Sequence, residues 1–115
     1  MKLGLIGGGY WGKNLIREFN NIGILDTICD INKEALQKYK EEYPNINTTS
    51  DWNNILTNNE ISAVCIALPA EMHYEYCKNS LLANKDVYVE KPITLNISHA
   101  EGLISISKEK NKILM

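Results

Sequence analysis

Three groups of residues have the types and spacing to do chemistry. The first is Gly7-Gly8-Gly9-Tyr10-Trp11-Gly12, which follows the apolar run Leu3-Gly4-Leu5-Ile6 and passes directly into a helical pattern. Placed between a strand and a helix, G-x-G-x-x-G is the fingerprint of a dinucleotide-binding turn. Gly7 permits the tight turn, Gly9 lets the backbone approach a pyrophosphate, and Gly12 lets the helix pack close to the strand. The unpaired N–H groups of the helix start then face the phosphates, and the helix dipole favours their negative charge. Tyr10 and Trp11 offer backbone amides to the same anion, while the Trp11 side chain reads as core.

Asp30 is the second group. It lies 18 residues after Gly12, at the end of the second strand-like run, where a carboxylate accepts hydrogen bonds from the adenosine ribose hydroxyls. A carboxylate there repels a 2′-phosphate, which favours NAD over NADP. Lys33 nearby could neutralise part of such a phosphate, so NADP stays open. The third group is Glu90-Lys91-Pro92, after the fifth strand-like run. An ammonium at that sheet edge can hydrogen-bond a substrate hydroxyl or its alkoxide-like transition state. The proline leaves a cis Lys91–Pro92 bond open. His73, at a helix start just after Leu68-Pro69, lies on the same edge and either touches the cofactor or closes the loop. His99 reads as a surface residue.

Alternating strands and helices must position these groups. The expected strands are Lys2–Ile6, Leu25–Asp30, a short one near Ile46–Thr49, Ile61–Leu68 and Asp86–Val89, with a further strand starting at Ile113–Met115. The helix over Tyr10–Asn21 is expected to bury a stripe of Trp11, Leu15, Phe19 and Ile22, with Gly23 beyond its end. Asn32 should cap a helix to about Tyr43, stopped by Pro44. Ser50 or Asp51 should cap a brief helix holding Trp52, Ile55 and Leu56. Ile61–Leu68 is apolar almost throughout, as a parallel strand covered on both faces should be, and Pro69 ends it. A helix over about Met72–Ala83 should turn Tyr76, Cys77, Leu81 and Leu82 inward, with Asn84 as a left-handed cap. Asn96 or Ser98 should cap the last helix, which runs to about Lys110. The pattern specifies an α/β fold: a parallel, doubly wound sheet in three layers with right-handed crossovers, a single Rossmann-type domain over residues 1–115.

Bulk properties exclude several classes. The 115 residues fit one domain. With 44% apolar residues, 23% charged and a net charge of −2, the chain has no basic patch for nucleic acid. No apolar stretch approaches the roughly 20 residues that span a bilayer, so no membrane partner is expected. A strand follows Met1-Lys2 at once, which leaves no visible signal peptide and points to the cytoplasm. Cys29, Cys65 and Cys77 are odd in number and lack C-x-x-C spacing. They read as buried apolar residues in a reducing compartment. With only two histidines there is no metal constellation.

The three groups coincide in one family. Gly7-Gly8-Gly9-Tyr10-Trp11-Gly12, Cys29-Asp30-Ile31-Asn32, Ala67-Leu68-Pro69 with His73 and Tyr74, and Val89-Glu90-Lys91-Pro92 resemble the N-terminal nucleotide-binding domain of the Gfo/Idh/MocA oxidoreductases, named for glucose–fructose oxidoreductase and inositol dehydrogenase. The resemblance runs over essentially the whole chain and looks most like members acting on nucleotide sugars. It implies Gly7, Gly9, Tyr10, Trp11 and Gly12 around the pyrophosphate and Asp30 on the adenosine ribose. Leu68, Pro69 and His73 would line the cofactor's path, and Glu90 would help hold Lys91 near the nicotinamide ribose. Lys91 would then meet the reacting substrate hydroxyl as the catalytic residue. Leu68 departs from the family, which more often has threonine or asparagine there. The resemblance also implies a following substrate domain, absent here, through which a homo-oligomer could form. The expectation is an NAD-binding part of a dehydrogenase for a sugar or nucleotide sugar, inactive by itself. A non-catalytic NAD(H) sensor would need the glycines and Asp30 but not Lys91, and an S-adenosylmethionine methyltransferase would have no use for Glu90-Lys91-Pro92.

Overall fold

A computed structural model describes residues Met1–Met115. Five strands, β1 (Leu3–Ile6), β2 (Leu25–Cys29), β3 (Asn47–Thr49), β4 (Ala63–Ile66) and β5 (Asp86–Val89), form one all-parallel sheet in the order β3-β2-β1-β4-β5. The helices are α1 (Tyr10–Asn21), α2 (Lys33–Glu42), α3 (Asn53–Leu56), α4 (His73–Leu82) and α5 (Ile97–Lys110). Side chains alternate between the faces of a strand, and the sheet accordingly serves two cores. Leu3 and Leu5 of β1, with Ala63 and Cys65 of β4, pack against Ile16 of α1 and Leu36 and Tyr39 of α2. Ile6, Val64, Ile66, Val87 and Val89 pack on the other face against Ile55 of α3, Cys77 and Leu81 of α4 and Leu103 of α5. This is the three-layer, doubly wound Rossmann-type α/β arrangement expected from the alternating pattern.

The strand order reverses at β1, with β2 and β3 on one side and β4 and β5 on the other. Ligands of open α/β sheets bind at the carboxyl ends of the strands at such a switch point. The ladder carries one residue past several strands: Gly7 N–H donates to Cys29 O at 3.0 Å, Ala67 N–H to Ile6 O at 2.9 Å and Glu90 N–H to Ile66 O at 3.1 Å. The loops bearing the chemistry therefore start from fixed points.

Several element ends follow the sequence closely. Asn32 Oδ1 accepts from the amides of Glu34 and Ala35 at the start of α2, and Asn96 Oδ1 caps α5 by accepting from His99 N–H. Asn84 (φ 62°), Asn111 (φ 53°) and Gly23 (φ 79°) supply the left-handed residues after their helices. Residues 113–115 run parallel to β5, with Val87 N–H donating to Ile113 O and Val89 N–H to Met115 O, both at 2.8 Å. The three cysteines are buried and free. No helix is long and apolar enough to cross a membrane.

Three expectations about packing are corrected. Trp11 is 63% exposed and Ile22 66% exposed, so neither belongs to the buried stripe of α1; Gly12 and Ile16 do, flanked by half-buried Leu15 and Phe19. The helix starts so close to β1 that its inward position admits only hydrogen, and Trp11, one residue away and about 100° round the helix, is turned outward. Leu82 is 46% exposed for the same reason of phase, because Cys77, Ser80 and Leu81 take the buried side of α4. The fourth strand covers only Ala63–Ile66 of the apolar run 61–68, and β2 ends at Cys29, leaving Asp30 in the loop. Pro69, which has no N–H to continue a ladder, precedes a 3-10 turn over Ala70–Met72 that delivers His73 to the start of α4.

Candidate cofactor site

The glycine loop supplies one wall. Gly7 has φ 100°, and a Cβ built there would run into the carbonyl of Ala67. A Cβ on Gly12 would run into the carbonyl of Gly7. Both glycines are thus required by the fold itself. Gly9 differs: its φ is −74°, open to any residue, and a Cβ there would meet nothing within 4 Å. Neither packing nor strain explains a glycine at that position, and the space in front of it is open. The first main-chain bond of α1 runs from Lys13 N–H to Gly9 O, at 3.0 Å. The amides of Gly9, Tyr10, Trp11 and Gly12 find no main-chain acceptor, and α1 has no side-chain cap. Four free donors at the positive end of a helix dipole make a ready seat for an anion.

Gly8, the second of three consecutive glycines, is held from behind. Its N–H donates to Asp30 Oδ2 at 2.8 Å, and its carbonyl accepts from Tyr39 Oη at 2.5 Å. A Cβ on Gly8 would come within 2.9 Å of Asp30 Oδ2 and 2.5 Å of Tyr39 Cε2. Asp30 Oδ1 also accepts from Asn32 N–H at 2.9 Å. The carboxylate is therefore fixed between the glycine loop and the start of α2, with one lone pair on each oxygen still free for an outside donor. Burial, and secondarily the Asp30 charge, push the Tyr39 hydroxyl above its ordinary pKa, so it stays a donor at neutral pH. Gly8 and Tyr39 escaped the sequence reading. The only signal was the third glycine, since a tyrosine on the inner side of a helix looks like ordinary core. Lys33, the first residue of α2, is exposed three residues past Asp30.

Ala67, Leu68, Pro69, Glu90 and Lys91 face Tyr10 and Trp11 across a cleft of about 580 Å³. Tyr10 and Trp11 are both exposed at its mouth and meet edge to face, with ring centroids 5.4 Å apart. Lys91 is exposed and joined to Pro92 by a cis peptide bond. The expected support of Lys91 by Glu90 takes no ionic form: the chain's ion pairs are Lys2–Asp26, Lys2–Glu60 and Arg17–Glu18. Neighbouring residues of an extended segment point apart, and the Glu90 charge instead adds to burial, the larger cause, in raising Tyr88 and Cys65.

His73 is not in the cleft. It is 1% exposed, and both ring nitrogens are engaged, Nε2 with Leu68 O at 2.7 Å and Nδ1 with Pro92 O at 2.6 Å. Of the two roles open to it, the structure shows the loop-closing one, which corrects its place among residues lining the cofactor's path. His99 lies on the surface as expected, its ring stacked on Tyr74 at 3.9 Å. No group of histidine, cysteine or carboxylate side chains is arranged to hold a metal ion.

Residues 1–115 match a family model described as an oxidoreductase family with an NAD-binding Rossmann fold. The chain is 26% identical over 125 residues to levoglucosan dehydrogenase of Pseudarthrobacter phenanthrenivorans, an alignment that takes in all of this chain and 32% of the relative. It is 36% identical over 61 residues to dTDP-3,4-didehydro-2,6-dideoxy-alpha-D-glucose 3-reductase of Actinomadura kijaniata, covering 53% of this chain and 18% of the relative. The crystal structure of a probable dehydrogenase from Thermotoga maritima superposes on the whole chain and 35% of its own with a TM-score of 0.92 at 25% identity. The chain thus spans about a third or less of the relatives' length. All three carry the name of a dehydrogenase or a reductase.

Proposed function

Because the chain belongs to the Gfo/Idh/MocA family of oxidoreductases and is its NAD(P)-binding Rossmann domain, we propose that it serves a dehydrogenase acting on the hydroxyl or keto carbon of a sugar or nucleotide sugar. Gly9 is the observation that carries the placement of the cofactor. It is the one glycine of the fingerprint that the fold does not need, and it sits beside the free amides of Tyr10, Trp11 and Gly12. A pyrophosphate there takes donors that nothing else satisfies, and a methyl group on Gly9 stands in its way.

In this reading the open lone pairs of Asp30 receive the adenosine ribose hydroxyls, and its charge favours NAD over the 2′-phosphate of NADP. Leu68 and Pro69 line the path towards the nicotinamide. Leu68 offers the cofactor no side-chain hydrogen bond. Bound nicotinamide supplies the group that accepts or donates hydride. Lys91 holds the substrate oxygen and moves its proton, and Glu90 shapes the loop from the neighbouring position. Sugar substrates are supported by the dehydrogenase and the sugar-nucleotide reductase named above. The groups that grip the sugar, and any homo-oligomer contact, belong to a second domain of the kind the relatives' greater length accommodates.

Titrating NAD while following thermal unfolding tests this. Ligand at about 100 times Kd stabilises by about 2.7 kcal/mol, so a clear upward shift of the melting temperature is expected at millimolar NAD, and a smaller one with NADP. An unchanged melting temperature at millimolar NAD would remove the proposal.

A further inference from the structure

We infer that His73 is a positioning residue, an imidazolium that ties the two loops of the reactive half of the cleft to each other. The inference rests on the reading of that cleft as the cofactor site. Leu68 belongs to the loop after β4 and Pro92 to the loop after β5, directly beyond Lys91. The His73 ring lies between their carbonyls at 2.7 and 2.6 Å. Both lengths are those of real hydrogen bonds. Carbonyl oxygens only accept, and a neutral imidazole carries one N–H. Both bonds therefore exist together only when both ring nitrogens hold protons. In either neutral tautomer a bare nitrogen would face a carbonyl oxygen at under 3 Å, lone pair against lone pair, and one loop would be released.

The ring's partners are carbonyl dipoles, and His73 takes part in none of the chain's ion pairs. Two charge-assisted bonds are the stronger kind, and burial of the ring keeps water from replacing them. The consequence falls on one end of the cofactor. Leu68 and Pro69 on one loop, and Glu90 and Lys91 on the other, line the same cleft, so the brace sets their separation. The glycine loop and Asp30 are held by Tyr39 and the start of α2, through hydrogen bonds that do not involve His73.

Two measurements test this. Nitrogen-15 NMR of the histidine side chains at neutral pH should show a proton on each ring nitrogen of His73. A single protonated nitrogen, with the other bare, overturns the imidazolium. Binding of ADP and of NAD is then compared in wild type and His73→Phe, which keeps the ring volume but donates nothing. ADP affinity should stay within about twofold, while NAD affinity falls about tenfold, the worth of one lost hydrogen bond. Equal losses for the two ligands would show a merely structural residue and overturn the positioning role. Should His73→Phe fail to fold, His73→Gln, which retains one donor group, carries the same comparison with a smaller NAD loss. A wild-type protein that bound neither ADP nor NAD would fail the cofactor reading, and the NMR result would still decide the brace.

Discussion

The two walls of the cleft are held by opposite means. On the glycine side, one residue, Gly8, is gripped at both ends by polar side chains, part-buried Asp30 at its N–H and buried Tyr39 at its carbonyl. On the side of β4 and β5, apolar residues and Lys91 line the cleft, and the polar fastening, His73, is buried behind them. The glycine wall is built by steric exclusion, because Gly7 and Gly12 approach backbone so closely that no side chain fits. The other wall is built by reach, from a histidine whose two acceptors lie 5 and 19 residues away. One wall presents unpaired amides, and the other leaves the Lys91 ammonium exposed.

The sharpest way to break this comparison is to put a methyl group at each end of the glycine loop. Gly12→Ala places Cβ against the Gly7 carbonyl, where only backbone can give way. A loss of about 3 kcal/mol or more is expected, visible as a drop of about 10 °C or more in melting temperature. Gly9→Ala meets nothing within 4 Å and should leave the melting temperature within a few degrees of wild type, since alanine costs nothing at that φ. Its NAD affinity should nevertheless fall at least tenfold. If Gly9→Ala bound NAD as tightly as wild type, the glycine wall would not be a phosphate seat. If both variants melted alike, packing would not divide these glycines.

The same contrast explains how much could be read beforehand. Glycine spacing, the acid at the end of a strand and the helix caps are local rules, and the fold, Asp30 and the Asn32 and Asn96 caps follow from them. Trp11 was misplaced because periodicity counts apolar residues and cannot know that the true inward position is a glycine. Tyr39 was hidden because a phenol aimed at a peptide 31 residues away has no sequence signature. His73 was visible as a residue at the right edge of the sheet, but its burial depends on where the loop after β5 ends. Long-range hydrogen bonds to carbonyls leave no pattern in the side-chain alphabet.

Asp30→Asn sharpens the comparison within the glycine wall. Both carboxylate oxygens accept from main-chain amides, whereas an asparagine sets its NH2 against one of those donors. NAD affinity should fall about tenfold, from the lost acceptor and the unpaired amide together. NADP should lose less or even gain, because the charge repelling its extra phosphate is gone. Isothermal titration with the two cofactors reads the ratio; an unchanged ratio would remove Asp30 from the ribose. Tyr39→Phe leaves the Gly8 carbonyl without its partner and should cost about 1 kcal/mol of stability, with only a few-fold loss of NAD affinity.

The smallest expected difference comes from the thiols beneath the two walls. Cys29 ends β2 under Asp30, and burial, with Asp30 and Asp51 adding to it, pushes its thiol up to about 11. Cys65 lies in β4, where burial and then Glu90 push it further still. Above the ordinary thiol value of 9.0, the unfolded chain sheds thiol protons that the folded chain keeps, so stability falls as pH rises. Lys85 works the other way: burial, then Lys112, lower its ammonium, so the unfolded chain holds that proton longer. Three thiols and the raised phenols of Tyr39, Tyr43 and Tyr88 outweigh one amine, and the net alkaline slope is downward. Denaturant unfolding of Cys29→Ala and Cys65→Ala should therefore show the slope between about pH 9.5 and 10.5 flattened alike, by about 1 kcal/mol per pH unit for each proton removed. The two should part as pH approaches 11, where the folded Cys29 thiol is half ionised and the Cys65 thiol is not. A Cys29 variant that left the lower limb unchanged would mean that its thiol already meets water in the fold, and that the floor under Asp30 is open.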